Sequence, residues 1–212
     1  MFYKFLSIFP LLIAASNTYS ALIDRDNGLI YDDVLDITWL QDANYAQTNG
    51  LAPDGKMTKS QAKDLAENFE FTSSDGSISA INWRLPSVLN DQVGYTLESE
   101  LGSLLYDSLG NTPGSVLSSS FFGPDNDFIF SFSNLQPTGF YWFNEQPEAD
   151  KSFIIWSGTG WLGKGKNTWT GYAWLVHDGD IGNNSITTEV PVPASIYFFV
   201  SAILALVSKR NV

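Results

Sequence analysis

The chain has 212 residues, a formal net charge of −12, 44% hydrophobic and 15% aromatic residues, which is room for one domain with a sizeable core plus processing segments. Its acidic field makes poor partners of nucleic acid and anionic lipid. It has no cysteine, which excludes disulfides and thiolate metal sites, and a secreted chain without cysteine fits a bacterium better than an animal extracellular space.

Met1-Phe2-Tyr3-Lys4 supplies one positive charge, Phe5 to Ala15 is an apolar run, and Thr18-Tyr19-Ser20 places small residues at −3 and −1 of a cut before Ala21. Residues 1–20 therefore read as a secretory signal peptide. From Ala21 to Asn44 the pattern is extended. Leu22-Ile23 and Leu29-Ile30-Tyr31 flank the turn Asp24-Arg25-Asp26-Asn27-Gly28, whose Asn-Gly is a hairpin signal, and Ile37-Thr38-Trp39-Leu40 is a second β-rich run. Asn49 to Gly55 is a loop.

Thr58-x-x-Gln61 is a capping box opening a helix whose apolar face is Ala62, Leu65, Ala66 and Phe69, and Ser73-Ser74-Asp75-Gly76 is expected to end it. Next comes Asn82-Trp83-Arg84-Leu85-Pro86-Ser87, where a helical half hands over to a β half. Trp83 asks for burial, and Arg84 beside it can be buried only with a carboxylate partner. Pro86 pushes Leu85 out of helical geometry. Trp83, Arg84, Leu85 and Pro86 are thus expected in the core. A second helix is expected from about Thr96 to Leu109, striped by Leu97, Leu101, Leu104, Leu105 and Leu109, with Gly110 past its end and Gly102 inside it for close packing.

Beyond Gly110 the period becomes that of strands: Phe128 to Phe132, Phe140 to Phe143, Phe153 to Trp156 and Tyr172 to Val176. Between the last two lies a Gly-rich stretch, Ser157 to Gly171, read as a loop carrying Trp161 and Trp169 after Trp156. Strands, two helices, then many short strands argue for an α+β domain over residues 21–182, with helices packed on antiparallel sheets. Residues 183–190 read as a linker. Ala194 to Val207 is a 14-residue apolar run, about 21 Å as helix and short of a ~30 Å hydrocarbon core, followed by Lys209-Arg210. Its cations are expected to stay on the cytoplasmic side, which makes the tail a marginal anchor.

Gly28-Leu29-Ile30-Tyr31-Asp32-Asp33-Val34-Leu35-Asp36-Ile37-Thr38-Trp39-Leu40-Gln41-Asp42-Ala43-Asn44-Tyr45 resembles the opening of a family of exported bacterial proteins similar to the Legionella collagen-like protein C-terminal domain. The pattern continues in Asn82 to Ser87, Ser99 to Tyr106, Phe132 to Gln136, Tyr141-Trp142 and Tyr172 to Asp180. The resemblance implies a C-type lectin/formylglycine-generating enzyme-like fold. In such folds the ends of the domain meet, so residues 28–31 or 37–40 are expected to neighbour 172–177. Lectin sugar sites of that kind hold calcium on a Glu-Pro-Asn or Gln-Pro-Asp loop. Gln146-Pro147-Glu148 is the nearest string here. The generating enzymes need cysteines that this chain lacks. The tail, Val190-Pro191-Val192-Pro193 with its apolar run and Lys209-Arg210, resembles a PEP-CTERM sorting signal, with Val192 in place of the central Glu. That resemblance implies an exosortase-type membrane protease as partner in a Gram-negative host. Pro191, Val192, Pro193, Lys209 and Arg210 are the residues that carry it.

Chemistry weighed on the residues gives three candidates. The single histidine, His177, is the only base for a nucleophilic triad, and Asp178 beside it on a strand points to the opposite face. Acidic turns at Asp24 to Gly28, Asp125-Asn126-Asp127 and Asp178 to Asn184 gather oxygens for a candidate calcium ion, Asp178 and Asp180 above all, although none matches a full EF-hand loop and turn stabilisation explains the same residues. Trp156, Trp161 and Trp169 offer flat rings for stacking on sugars, and packing of the same rings beneath the Gly-rich loop is the alternative. The reading is a non-enzymatic, exported cell-surface or extracellular-matrix module with a glycan or protein ligand and no required cofactor. The alternatives are a carboxylate-based hydrolase of matrix polysaccharide and a structural matrix protein.

Overall fold

A computed structural model describes residues 22–114 and 132–182. The chain divides after Gly182 into two units, and the described residues belong to the first. The signal peptide, the acidic turn Asp125–Asp127, the expected strand before Phe132, the linker and the sorting tail with Pro191, Val192, Pro193, Lys209 and Arg210 lie outside them.

In chain order the described elements are β1 (Leu22–Asp24), β2 (Leu29–Asp32), β3 (Ile37–Leu40), α1 (Tyr45–Thr48), β4 (Lys56–Met57), α2 (Lys59–Glu67), β5 (Phe71–Thr72), β6 (Ser79–Ala80), α3 (Glu100–Ser103), a π-helix (Leu104–Ser108), β7 (Phe140–Trp142), β8 (Lys151–Trp156), β9 (Trp161–Lys166), β10 (Gly171–Tyr172) and β11 (Val176–Asp178). The domain is α+β, mostly sheet with few short helices. One sheet runs β1-β2-β3-β11, a second β4-β10-β7-β8-β9, and β5 with β6 forms a small hairpin.

The β1–β2 hairpin forms where the Asn-Gly signal places it. Asp26, Asn27 and Gly28 take left-handed φ values of 57°, 55° and 90°, the region that Asn, Asp and Gly tolerate best, and the Asp24 carboxylate accepts the Asp26 amide at 2.8 Å. β11 pairs antiparallel with β3, Val176 opposite Trp39 and Asp178 opposite Ile37, so the two ends of the domain meet as expected.

Alternation along β8 divides the interior. Phe153 and Ile155 face one cluster with Trp39, Leu104, Tyr141 and Trp174, while Ile154 faces the other with Leu40, Trp83, Leu85 and Trp142. The second sheet is therefore apolar on both faces, which places its aromatic load on either side of it.

The capping box holds: the Thr58 hydroxyl accepts the Gln61 amide, Gln61 Oε1 accepts the Thr58 amide at 2.9 Å, and Ala62 and Ala66 are buried. The helix stops at Glu67, capped by Asn68. Ser73 to Ile78 instead forms the β5–β6 turn. The expected helix from Thr96 is shorter. Ser99 caps it, its Oγ accepting the Gly102 amide at 3.0 Å, and after one turn the chain widens into the π-helix. A side chain at Gly102 would meet the Thr96 carbonyl, so Thr96 folds over the first turn rather than starting it. Leu97 is consequently off the stripe and exposed, whereas Leu101, Leu104, Leu105 and Leu109 are buried. The run 172–176 is not one strand. It leaves the second sheet after Tyr172 and joins the first at Val176, and the Trp174 indole donates to the Leu40 carbonyl at 2.8 Å in between.

Within the Trp83–Pro86 stretch three residues are core, and Arg84, held by carboxylates, is only half-buried. Trp83 and Leu85 are 2% and 1% exposed, Pro86 is buried, and Trp83 meets the Phe69 ring edge-on at 5.2 Å. Arg84 finds two carboxylates. Its guanidinium donates to Glu100 at 2.7 and 2.8 Å and to Asp178 at 2.6 Å, and its backbone pairs with Val176.

Candidate functional site

Ser157 to Gly171 is not a loop. Residues 161–166 are β9, paired over its whole length with β8 so that Trp156 faces Trp161, Ile154 faces Gly163 and Ser152 faces Gly165. Glycine at 163 and 165 removes the side-chain alternation that marks a strand, and pairing with β8 imposes the strand regardless. Residues directly opposite share a face, so Trp156, Trp161, Gly163 and Gly165 lie on one side of the sheet, with Phe140 opposite Trp156 on the next strand.

The absent side chains are what let the rings settle. A Cβ at Gly163 would come 3.3 Å from Trp161 Nε1, and one at Gly165 would come 3.1 Å from Trp169 Cε3. Two indoles thus rest on a bare stretch of backbone. Trp156 packs on Phe140 at 5.3 Å and on Trp169 at 6.4 Å, the two indoles tilted 59° apart. Packing leaves a large part of each ring outside: Trp156, Trp161 and Trp169 are 38%, 42% and 41% exposed. The structure gathers all three of the rings singled out in the sequence.

The hairpin tip that aims them is held from several directions. Gly160 donates to the Trp156 carbonyl at 2.6 Å, Ser157 to Gly139 at 3.0 Å, and Gly114 to Thr159 at 3.0 Å. The Tyr106 hydroxyl, presented by the π-helix, donates to the Gly160 carbonyl at 2.7 Å, and burial pushes its pKa up to about 12. At the outer edge of β9, Gly94 exchanges two backbone bonds with Leu162 at 2.8 and 2.9 Å, and Tyr95 beside it meets Trp161 edge-on at 5.3 Å. Tyr95 and Tyr106 are not legible as site residues from the sequence, because only the tertiary fold brings residues 94–106 to the hairpin.

Charges sit on the other face of the same hairpin. Lys151 and Lys166 are opposite each other, Lys164 is opposite Phe153, and all alternate with the tryptophan face. Glu148 bridges Lys151 at 2.7 Å and Lys164 at 3.3 Å, and those bonds hold its carboxyl below the usual range. The Gln146-Pro147-Glu148 string therefore spends its acid on lysines.

Asp178 and Asp180 are each engaged by an arginine, Asp178 by Arg84 and Asp180 by Arg25 at 2.5 and 3.1 Å. Among the described residues no group of three or more His, Cys, Asp or Glu is placed to hold a metal. His177 lies edge-on to Trp83 at 5.6 Å, its Nδ1 2.5 Å from the Asp178 carbonyl oxygen. Asp32 is fully buried, and burial pushes its pKa up against the amides of Leu35 and Val34. Sealed from solvent, its carboxyl is closed to a polysaccharide. Among the described residues no helix is long and apolar enough to cross a membrane.

The chain matches no family model, no curated protein and no solved structure.

Proposed function

We propose that the protein is an exported, non-enzymatic module of the cell surface or extracellular matrix that binds glycan through Trp156, Trp161 and Trp169. The carrying observation is that three indoles share one sheet region, two of them resting on glycine backbone, and each keeps about two-fifths of its surface exposed. Rings recruited only to fill the core end up like Trp39, Trp142 and Trp174, at 0% exposed. A flat indole with one side supported and the other wet is suited to stacking on the C–H face of a pyranose, while the pinned hairpin tip limits the entropy lost on binding.

A C-type lectin-like fold belongs to the same proposal. The meeting of β3 and β11 supports it, as does the Trp83–Pro86 segment linking helices and sheets. So do a secretory leader over residues 1–20 and a PEP-CTERM-like tail read by an exosortase-type protease, which would place the domain outside the inner membrane of a Gram-negative cell after transient anchoring.

A glycan array probed with the exported protein, with and without calcium, tests the proposal. Binding should survive chelation and fall at least about tenfold in Trp156→Ala and Trp169→Ala. Release of reducing ends from a bound polysaccharide, lost on changing one Asp or Glu, would establish the hydrolase instead. Binding indifferent to all three tryptophans would remove the site.

A further inference from the structure

Resting on that glycan reading, we infer that the tryptophan platform selects neutral glycans and turns away polyanionic ones, uronates and sulfated chains alike. Charge placement carries the inference. Among the described residues, the four lysines of the second sheet all stand on the face opposite Trp156 and Trp161. Lys56 is opposite Tyr172, and Tyr172, Tyr141, Ile155 and Leu162 are register partners across the sheet, so Lys56 shares the Leu162 face. Lys151, Lys164 and Lys166 alternate onto that same face. The remaining described cations are engaged elsewhere: Arg25 by Asp180, Arg84 by Glu100 and Asp178, Lys63 by Glu67, and Lys59 by the carbonyls of Phe143 and Asn144.

The chain around the rings is uncharged or acidic. Residues 156–163 and 167–171, which carry all three indoles, contain no charged side chain. The segment 89–98 is bonded to the outer edge of β9 through Gly94 and Leu162, and it sets Tyr95 against Trp161. It holds two acids, Asp91 and Glu98, both exposed, and no Lys or Arg.

Three effects then act against an anion at this face. An indole presents the negative side of its ring quadrupole, which receives C–H groups and repels a carboxylate or sulfate. Stacking takes water from one side of a sugar, so a uronate held there loses hydration without gaining a counter-charge. The chain's formal net charge of −12 repels polyanions at a range set by salt, about 10 Å at 0.1 M. A neutral pyranose meets none of these costs and keeps the stacking contact.

The test is an array of neutral chains (cello-, malto-, xylo- and chito-oligosaccharides) beside anionic ones (oligogalacturonate, alginate, dextran sulfate), probed with the intact exported protein. The chains bound in a Trp156-dependent way should be neutral. Calorimetry at low salt should place the tightest of them at least about tenfold above a sulfated derivative of the same chain. Raising the salt to about 1 M, where screening acts within about 3 Å, should narrow that gap and leave the neutral affinity within about twofold. Lys166→Gln, on the opposite face, should leave neutral binding unchanged. An anionic chain bound through Trp156 as tightly as the neutral ones overturns the inference and leaves the glycan reading standing. A gap that salt does not narrow also overturns it, because shape rather than charge would then set it. Binding lost in Lys166→Gln would put the ligand on the lysine face and overturn both, as would the absence of any tryptophan-dependent glycan binding.

Discussion

Removing the guanidinium of Arg84 should be among the costliest single changes outside the aromatic core, and its cost should come almost entirely from Glu100. The Glu100 side chain is 8% exposed, and its two oxygens accept both Arg84 terminal nitrogens and the Ser87 amide at 2.7–2.8 Å. Burial opposes the Arg84 charge, but the Glu100 bonds and then Asp178 outweigh it, so its pKa moves up. In Arg84→Met, Glu100 keeps the Ser87 amide and loses its counter-charge inside the protein. Breaking such a pair from one side costs about 3–5 kcal/mol. Asp178 is a different case. Its side chain is 77% exposed, and an ion pair reaching into water is worth at most about 1 kcal/mol. Urea unfolding monitored by tryptophan fluorescence should therefore order the variants as Arg84→Met far below Asp178→Asn, with Asp178→Asn near wild type. Arg84→Met/Glu100→Leu should recover much of the loss, because no charge is then left buried. A loss under about 1 kcal/mol in Arg84→Met, or a double variant no better than the single, would refute the reasoning.

Trp83→Ala should cost about 3–5 kcal/mol in the same assay, the range for emptying a large aromatic from a core, and an m-value unchanged from wild type would confirm that only stability moved. Lys59 should make stability pH-dependent. The residue is 5% exposed, its ammonium donates to the carbonyls of Phe143 and Asn144, and burial lowers its pKa from 10.5 to about 8. Because the folded pKa is the lower one, the unfolded chain binds more protons between these values. The penalty for burying the charge is complete below about pH 8 and fades as pH rises to about 10.5, a gain of up to about 3 kcal/mol measured as the difference from Lys59→Met, which lacks that titration. A difference that stays flat, or falls, across that window refutes it. The sorting tail is checked by intact mass: protein released by the native host should end upstream of Ala194, and a released form still ending at Val212 would replace the sorting reading with a plain anchor.

What was legible in the chain follows the range of each cause. The Thr58–Gln61 capping box and the Asn27-Gly28 turn are set by neighbours a few residues apart, and both form where the residues place them. Arg84's need for a carboxylate was legible from its chemistry. The identity of the partners was not, since Glu100 is 16 positions away and Asp178 is 94. The leucine stripe identified the buried positions after Ser99, yet it could not show that the chain widens into a π-helix at Leu104 and aims Tyr106 at Gly160. The apolar run 172–176 has the composition of a strand throughout. It is split because it must cross between two sheets, and no local signal records a crossing.

The tryptophan site shows why composition misled about β9 and yet led to the right side chains. Glycine weakens a strand by backbone entropy and offers nothing to pack, so a stretch with Gly158, Gly160, Gly163, Gly165 and Gly171 reads as loop. Here the missing packing is supplied by side chains at the start of the strand, beyond its end and on the neighbouring strand. Trp161 lies against Gly163, Trp169 lies against Gly165, and Ile154 fills beneath, its Cδ1 2.9 Å from where a Gly165 Cβ would stand. The large rings and the bare backbone are two halves of one arrangement: the strand gains apolar cover, and the rings gain a support that fixes their planes. Any substitution that restores alternation at 163 or 165 would make β9 a better strand by propensity and a worse seat for the indoles. Stability and ligand affinity should then move apart in Gly163→Ala, and that divergence separates a functional platform from rings that serve only to shield an edge.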